Sequence, residues 1–153
     1  MVSVVLYLSS IMIANLLVVY FGVVSIGPLV FPAGAVVVGL TFSIRDYVQK
    51  KHGKWGCWKW MILATVITYF LNKNIALASV SAFMLSELID WAVFTFSGLS
   101  FRKRIVLSNL FSTPVDSFVF VSIAFGFAWP IIIGQTIVKF LSSVFVLLVR
   151  RTN

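Results

Sequence analysis

Oily residues run through this chain in long blocks, separated by short polar breaks. The first block covers residues 2–21 and closes at Gly22; the second covers 28–44 and is interrupted by Pro32 and Gly34. The third, 60–71, gives only about 18 Å of helix at ~1.5 Å per residue. To cross a hydrocarbon core of about 30 Å it must extend back to residue 56, with Lys59 snorkelling to the surface. Asn72-Lys73-Asn74 turns the chain into a fourth block at 75–99, followed by 105–127 and 130–149. The pattern predicts a single all-α membrane domain of six transmembrane helices, over 2–21, 28–44, 56–71, 75–99, 105–127 and 130–149.

Polar residues inside these blocks are not scattered. At 100° per residue, Ser79, Phe83, Ser86, Glu87, Asp90, Phe94 and Ser97 of the fourth span share an arc about 100° wide. Leu85, Leu88, Ala92 and Phe96 face the other way, as lipid contact requires. In the fifth span Asn109, Ser112, Thr113, Asp116, Phe120 and Phe127 again fall on one side. An ionisable group at membrane depth costs at least about 2.5 kcal/mol, so its default reading is functional. The acids of these two spans are expected to turn inward toward one shared chamber. Asn15 in the first span and Lys139 in the sixth complete the set, and Lys139 needs a partner among Glu87, Asp90 and Asp116.

Local alternatives exist. Thr113-Pro114-Val115-Asp116 also reads as a helix start, with Thr113 as N-cap, Pro114 at the first helical position and Asp116 reaching back. That would break the fifth span near mid-membrane, a common way to build a substrate site. A structural ion pair is the plainer reading of Lys139 with one Asp. Asp46, beside Arg45, fits either a solvated loop salt bridge or a gate.

Composition settles the class. Of the 153 residues, 61% are hydrophobic and 10% charged, well outside the range of soluble domains. The net charge of +8 does not mark a nucleic-acid surface. Ten of the twelve Lys and Arg lie in three clusters, at 45–59, 102–104 and 150–151. With six spans all three fall on one side, which the positive-inside rule makes cytoplasmic, with both termini. Trp55, Trp58 and Trp60 suit an aromatic belt there. The first block lacks a basic n-region and a cleavage site, so it is expected to be retained in the inner membrane. Cys57 is alone, which excludes an internal disulfide; palmitoylation is possible in a basic loop, but an incidental cysteine is the simpler reading. His52 reads as a surface histidine, no metal site is expected, and no nucleotide-binding or hydrolase motif is present. A non-enzymatic chain without cofactors is expected.

Carboxylates, an Asn, hydroxyls and Phe rings suit a flat heteroaromatic with an N–H donor edge, stacked by Phe83, Phe94 or Phe120. A lipophilic cation is the competing ligand.

Three stretches carry a family resemblance. Phe42, Asp46 and Gly53 match a Phe-x3-Asp-x6-Gly signature; Asp90 with Phe94, and Asp116 with Phe120 and Ile123-Ala124-Phe125, match two Asp-x3-Phe segments. Asn15 and Lys139 fall at matching places in the first and last helices. In these features the chain resembles the queuosine precursor transporter family, also called the vitamin uptake transporter family. The resemblance implies a six-helix bundle like the substrate-binding components of energy-coupling-factor transporters. It also implies import of 7-deazaguanine bases, such as 7-cyano- or 7-aminomethyl-7-deazaguanine or queuine. Asp90 and Asp116 would then accept the donor edge, Asn15 and Asn109 complete the polar contacts, and Lys139 balances charge. Glu87 stands where members can carry Gln and would tune selectivity. Capture subunits that depend on an energising ATPase often dock through an Ala-x3-Ala patch on the first helix; only Ala14 is present here, which argues against such a partner. A homo-oligomer is compatible with the pattern, and a non-transporting membrane protein is the remaining rival.

Overall fold

The computed structural model describes residues 2–149. Side chains at 2–3, 46–47, 49–50, 52–54, 56–57, 91, 94–95, 101–102 and 147–149 lie outside the description. The elements are α1 (Val2–Phe21), β1 (Val23–Ile26), β2 (Leu29–Pro32), α2 (Ala35–Leu71), α3 (Lys73–Phe96), α4 (Phe101–Ala124) and α5 (Trp129–Val149).

The second predicted span is corrected at its start. Residues 29–32 are not helical; they pair antiparallel with 23–26, Ile26 opposite Leu29. Gly27, with φ of 59°, opens the two-residue loop, where tight primed turns favour glycine. The β-branched residues on either side supply the strands, and Pro32 closes the second of them.

The predicted loop at 45–59 is also corrected, because α2 carries helical structure from Ala35 through Leu71. It cannot be straight. Asn15 donates from its amide to the Thr68 hydroxyl at 3.1 Å, while Gly34 packs on the backbone of Ala14. A straight helix would hold residues 34 and 68 about 50 Å apart. Val48 also shares one core cluster with Met61 and Ala64. The helix therefore doubles back between Val48 and Met61, giving two arms that both lie along α1. Asn72, extended at φ −155° and ψ 111°, ends the second arm and caps α3 by accepting from the Ile75 N–H at 3.1 Å. One residue, not the expected three, makes that turn.

The helices approach closely where side chains are absent. Gly39 lies against the Lys139 backbone, and Gly134 against Val30. The Ser43 hydroxyl donates to the Ser143 carbonyl at 3.0 Å, so the first arm of α2 runs parallel to α5. Small residues permit such contacts in membrane bundles, where dispersion drives packing. A methyl at Gly34 would overlap the Ala14 carbonyl, a backbone atom with no room to yield. Gly34→Ala is expected to cost about 1–3 kcal/mol, read as a lowered unfolding temperature in detergent.

Pro114 sits inside a continuous α4, so the predicted helix start at Thr113 is not formed. A proline within a membrane helix forfeits one ladder hydrogen bond, which packing can tolerate. Among the described residues, Val4–Phe21, Lys103–Ala124 and Trp129–Val146 are long and apolar enough to cross a membrane, and Ala35–Arg45 and Trp58–Leu71 are shorter apolar helices. Leu85, Leu88 and Phe96 are exposed on the outer face of α3, the side expected to meet lipid. Tyr20, Phe70, Phe127 and Trp129 are exposed near the helix ends around the hairpin, placing an aromatic belt at that end as well.

Candidate functional site

Two ionic centres occupy the interior, one above the other. The upper one joins α4 to α5. Asp116 is bonded by the Lys139 ammonium, and both are buried. Asp116 thus acts across helices and not as a local cap. The Lys139 ammonium also lies 5.4 Å from the Phe120 ring centroid, within cation–π reach. This pair opens onto a cavity of about 50 Å³. Asn15 from α1, Phe42 from α2, Phe83 from α3 and Gln135 from α5 also line it. Five helices therefore contribute to one small chamber, room for about three waters. The Phe83 ring is held from behind by Trp58, edge-on at 6.4 Å.

The lower centre is the one that local sequence left unexplained. Glu87 and Asp90 have no base nearby in the chain; their partner is Arg45. Its guanidinium donates to Glu87 Oε2 at 2.7 Å and to Asp90 Oδ2 at 2.6 Å, and Arg45 is fully buried. Arg45 lies six residues beyond Gly39 on the same arm, about 9 Å further along the bundle than Lys139. Phe42 lies between the two levels. Its ring lines the cavity and carries the Arg45 guanidinium at 5.8 Å from its centroid.

The expectation of one chamber for all three acids is therefore corrected. Asp116 faces the cavity with Asn15, Phe42, Phe83, Phe120 and Lys139; Glu87 and Asp90 are turned to Arg45 below it. Asn109 is fully buried but does not line the cavity, and neither atom of its amide is hydrogen-bonded. The side chains of Asp46 and Phe94, and the surroundings of Gly53, lie outside the description.

Two residues escaped the sequence reading. Arg45 was placed with the loop cations because it borders a basic run, although two acids lacking a neighbour implied a distant base. Gln135 is buried one turn before Lys139, and its i, i+4 spacing puts both on one helical face.

No curated protein and no solved structure matches the chain. A family model described as "Putative vitamin uptake transporter" matches residues 60–150, more than half of the sequence. That stretch holds the second arm of α2 and all of α3, α4 and α5, the helices that carry every buried acid described above, and the chain belongs to this family of membrane transporters.

Proposed function

We propose that the protein imports queuosine-precursor bases, 7-cyano- or 7-aminomethyl-7-deazaguanine or queuine, through a bundle that crosses the inner membrane six times. The doubled-back α2 supplies the second and third crossings. The ends of the bundle support the orientation: the hairpin, Asn72 and the 125–128 connection lie at one end, the turn within α2 and the basic start of α4 at the other. Both termini are then cytoplasmic.

One observation carries the substrate reading. Asn15, Phe42, Phe83, Asp116, Phe120 and Lys139 are distant in sequence yet border a single cavity. A carboxylate beside a cation, an amide and aromatic faces suits a flat base that both donates and accepts hydrogen bonds. Asp116 lines the cavity and Asp90 does not, so Asp116 is the acid that meets the base's donor edge. At about 50 Å³ the chamber is contracted, and a base enters only when the walls part. Ala14 supports operation without an ATPase partner, because it is buried against Gly34 and not displayed on the outer face.

The test is uptake of labelled 7-cyano-7-deazaguanine into cells expressing the protein. Asn15→Ala is expected to lower it about tenfold, the loss of roughly one hydrogen bond to ligand, with membrane insertion unchanged. Equal uptake by the variant and the parent sinks the assignment. A thermal-shift panel of guanine, deazaguanines and vitamins separates this substrate from other members of the class.

A further inference from the structure

We propose that Gln135 is a ligand contact: its side-chain carbonyl accepts the pyrrole N–H of the base, so the chamber takes the free base and refuses compounds without that hydrogen. This contact rests on the transport reading above and adds to it the residue that meets the far ring of the ligand.

The other polar groups at the cavity are already held by the protein. Asp116 is bonded by Lys139. Asn15 gives its Nδ2 to the Thr68 hydroxyl at 3.1 Å, and that hydroxyl in turn donates to the Ala64 carbonyl at 2.9 Å. With its hydrogen spent, the Thr68 oxygen can only accept, so the Asn15 amide is fixed with its nitrogen toward α2. Gln135 is different. It is 1% exposed, it lines the cavity, and its Oε1 is buried without a hydrogen-bond partner. Among the described residues, no other buried, unpartnered side-chain atom belongs to the cavity wall. An amide carbonyl is costly to bury unpaired, and native proteins seldom leave one so. A ligand that donates there removes the cost.

Position identifies the donor. The four residues 125–128 join α4 to α5, so these two helices run antiparallel. Phe120 stands four residues beyond Asp116 toward that connection, and Gln135 four before Lys139. Both are therefore one turn, about 6 Å, to the hairpin side of the ion pair. A flat bicycle with its amide-and-amino edge on Asp116 and one face on Phe120 points its other ring toward Gln135. In 7-cyano-7-deazaguanine the N–H left over from that edge is the pyrrole one. The level is held firmly, because Gly134 packs on the backbone of Val30 and the hairpin braces the turn of α5 that bears Gln135. In a nucleoside the same nitrogen carries a sugar and has no hydrogen to give. A site built around a donor rejects such a compound, because its own acceptor would stay unpaired.

Isothermal titration of the purified protein with two ligands tests the contact: 7-cyano-7-deazaguanine, and its furan analogue, in which oxygen replaces the pyrrole N–H. The parent is expected to bind the base about tenfold more tightly than the analogue, the worth of one hydrogen bond. Gln135→Met, similar in length and without the acceptor, should weaken the base about tenfold and leave the analogue unchanged, so that the preference disappears. A Gln135 with a structural role only would weaken both ligands alike and keep the preference, which overturns the assignment. If the variant fails to fold, the parent alone decides. Preference for the base supports the contact, whereas equal binding of base and analogue overturns it and leaves the substrate standing. Binding of neither ligand rejects the substrate, and the contact with it.

Discussion

Arg45→Met is expected to destabilise the protein by about 3–5 kcal/mol, the usual consequence of removing one member of a buried ionic group. The change leaves Glu87 and Asp90 close together, buried and without the cation that holds them. Unfolding in mixed micelles at increasing denaturing detergent measures the loss. Glu87→Gln and Asp90→Asn should each cost less, because Arg45 retains the other acid. The triple variant Arg45→Met, Glu87→Gln, Asp90→Asn should recover most of the stability, since the cation and both acids it holds are removed together. A triple variant as unstable as Arg45→Met alone would show that packing of the arginine stem, and not charge, sets the cost.

Lys139→Met is expected to have the second large effect, on stability and uptake together. It leaves Asp116 buried at the edge of the cavity without the cation that holds it, again at a cost of about 3–5 kcal/mol. It also removes the cation that lies over Phe120. Uptake of labelled base should fall by about a hundredfold, corresponding to roughly 3 kcal/mol for a charged hydrogen bond lost at the site. The exchanged pair, Asp116→Lys with Lys139→Asp, separates the two effects. It restores a neutral couple between α4 and α5, so stability should return in part. The positions of donor and acceptor are swapped, so uptake should not. Recovery of both would assign the pair a structural role only.

The two centres differ in how far they could be read in advance. The polar face of α3 follows from a helical period applied to Ser79, Phe83, Glu87 and Asp90, and the structure does bury Glu87 and Asp90. The need of Lys139 for an acid was equally visible, but Asp116 was one of three candidates. Arg45 reads from its neighbours as a loop cation, yet it is fully buried. It follows a helical stretch and precedes a basic run, and nothing within a few residues shows that the helix turns it inward. The hairpin carries a local signal: Val23-Val24-Ser25-Ile26 and Leu29-Val30 flank Gly27-Pro28, a turn pair between strand-forming residues. Hydropathy alone absorbed its second strand into a span. The proline of α4 misled in the opposite direction, because a proline near a Thr and an Asp is a start signal in water but is tolerated within a packed membrane helix.

Length, hydropathy and helical period by themselves determined that this is a membrane protein, roughly where its helices lie, and which sides of α3 and α4 avoid lipid. These are properties of neighbouring residues, and a helix expresses them wherever it is placed. Tertiary structure alone decided the ion pairing. Arg45 meets acids 42 and 45 residues away, and Lys139 one 23 residues away. Coulomb attraction depends on separation in space, and packing of the first α2 arm on α5, with the doubling back that returns α3 beside it, brought Arg45 and its acids together.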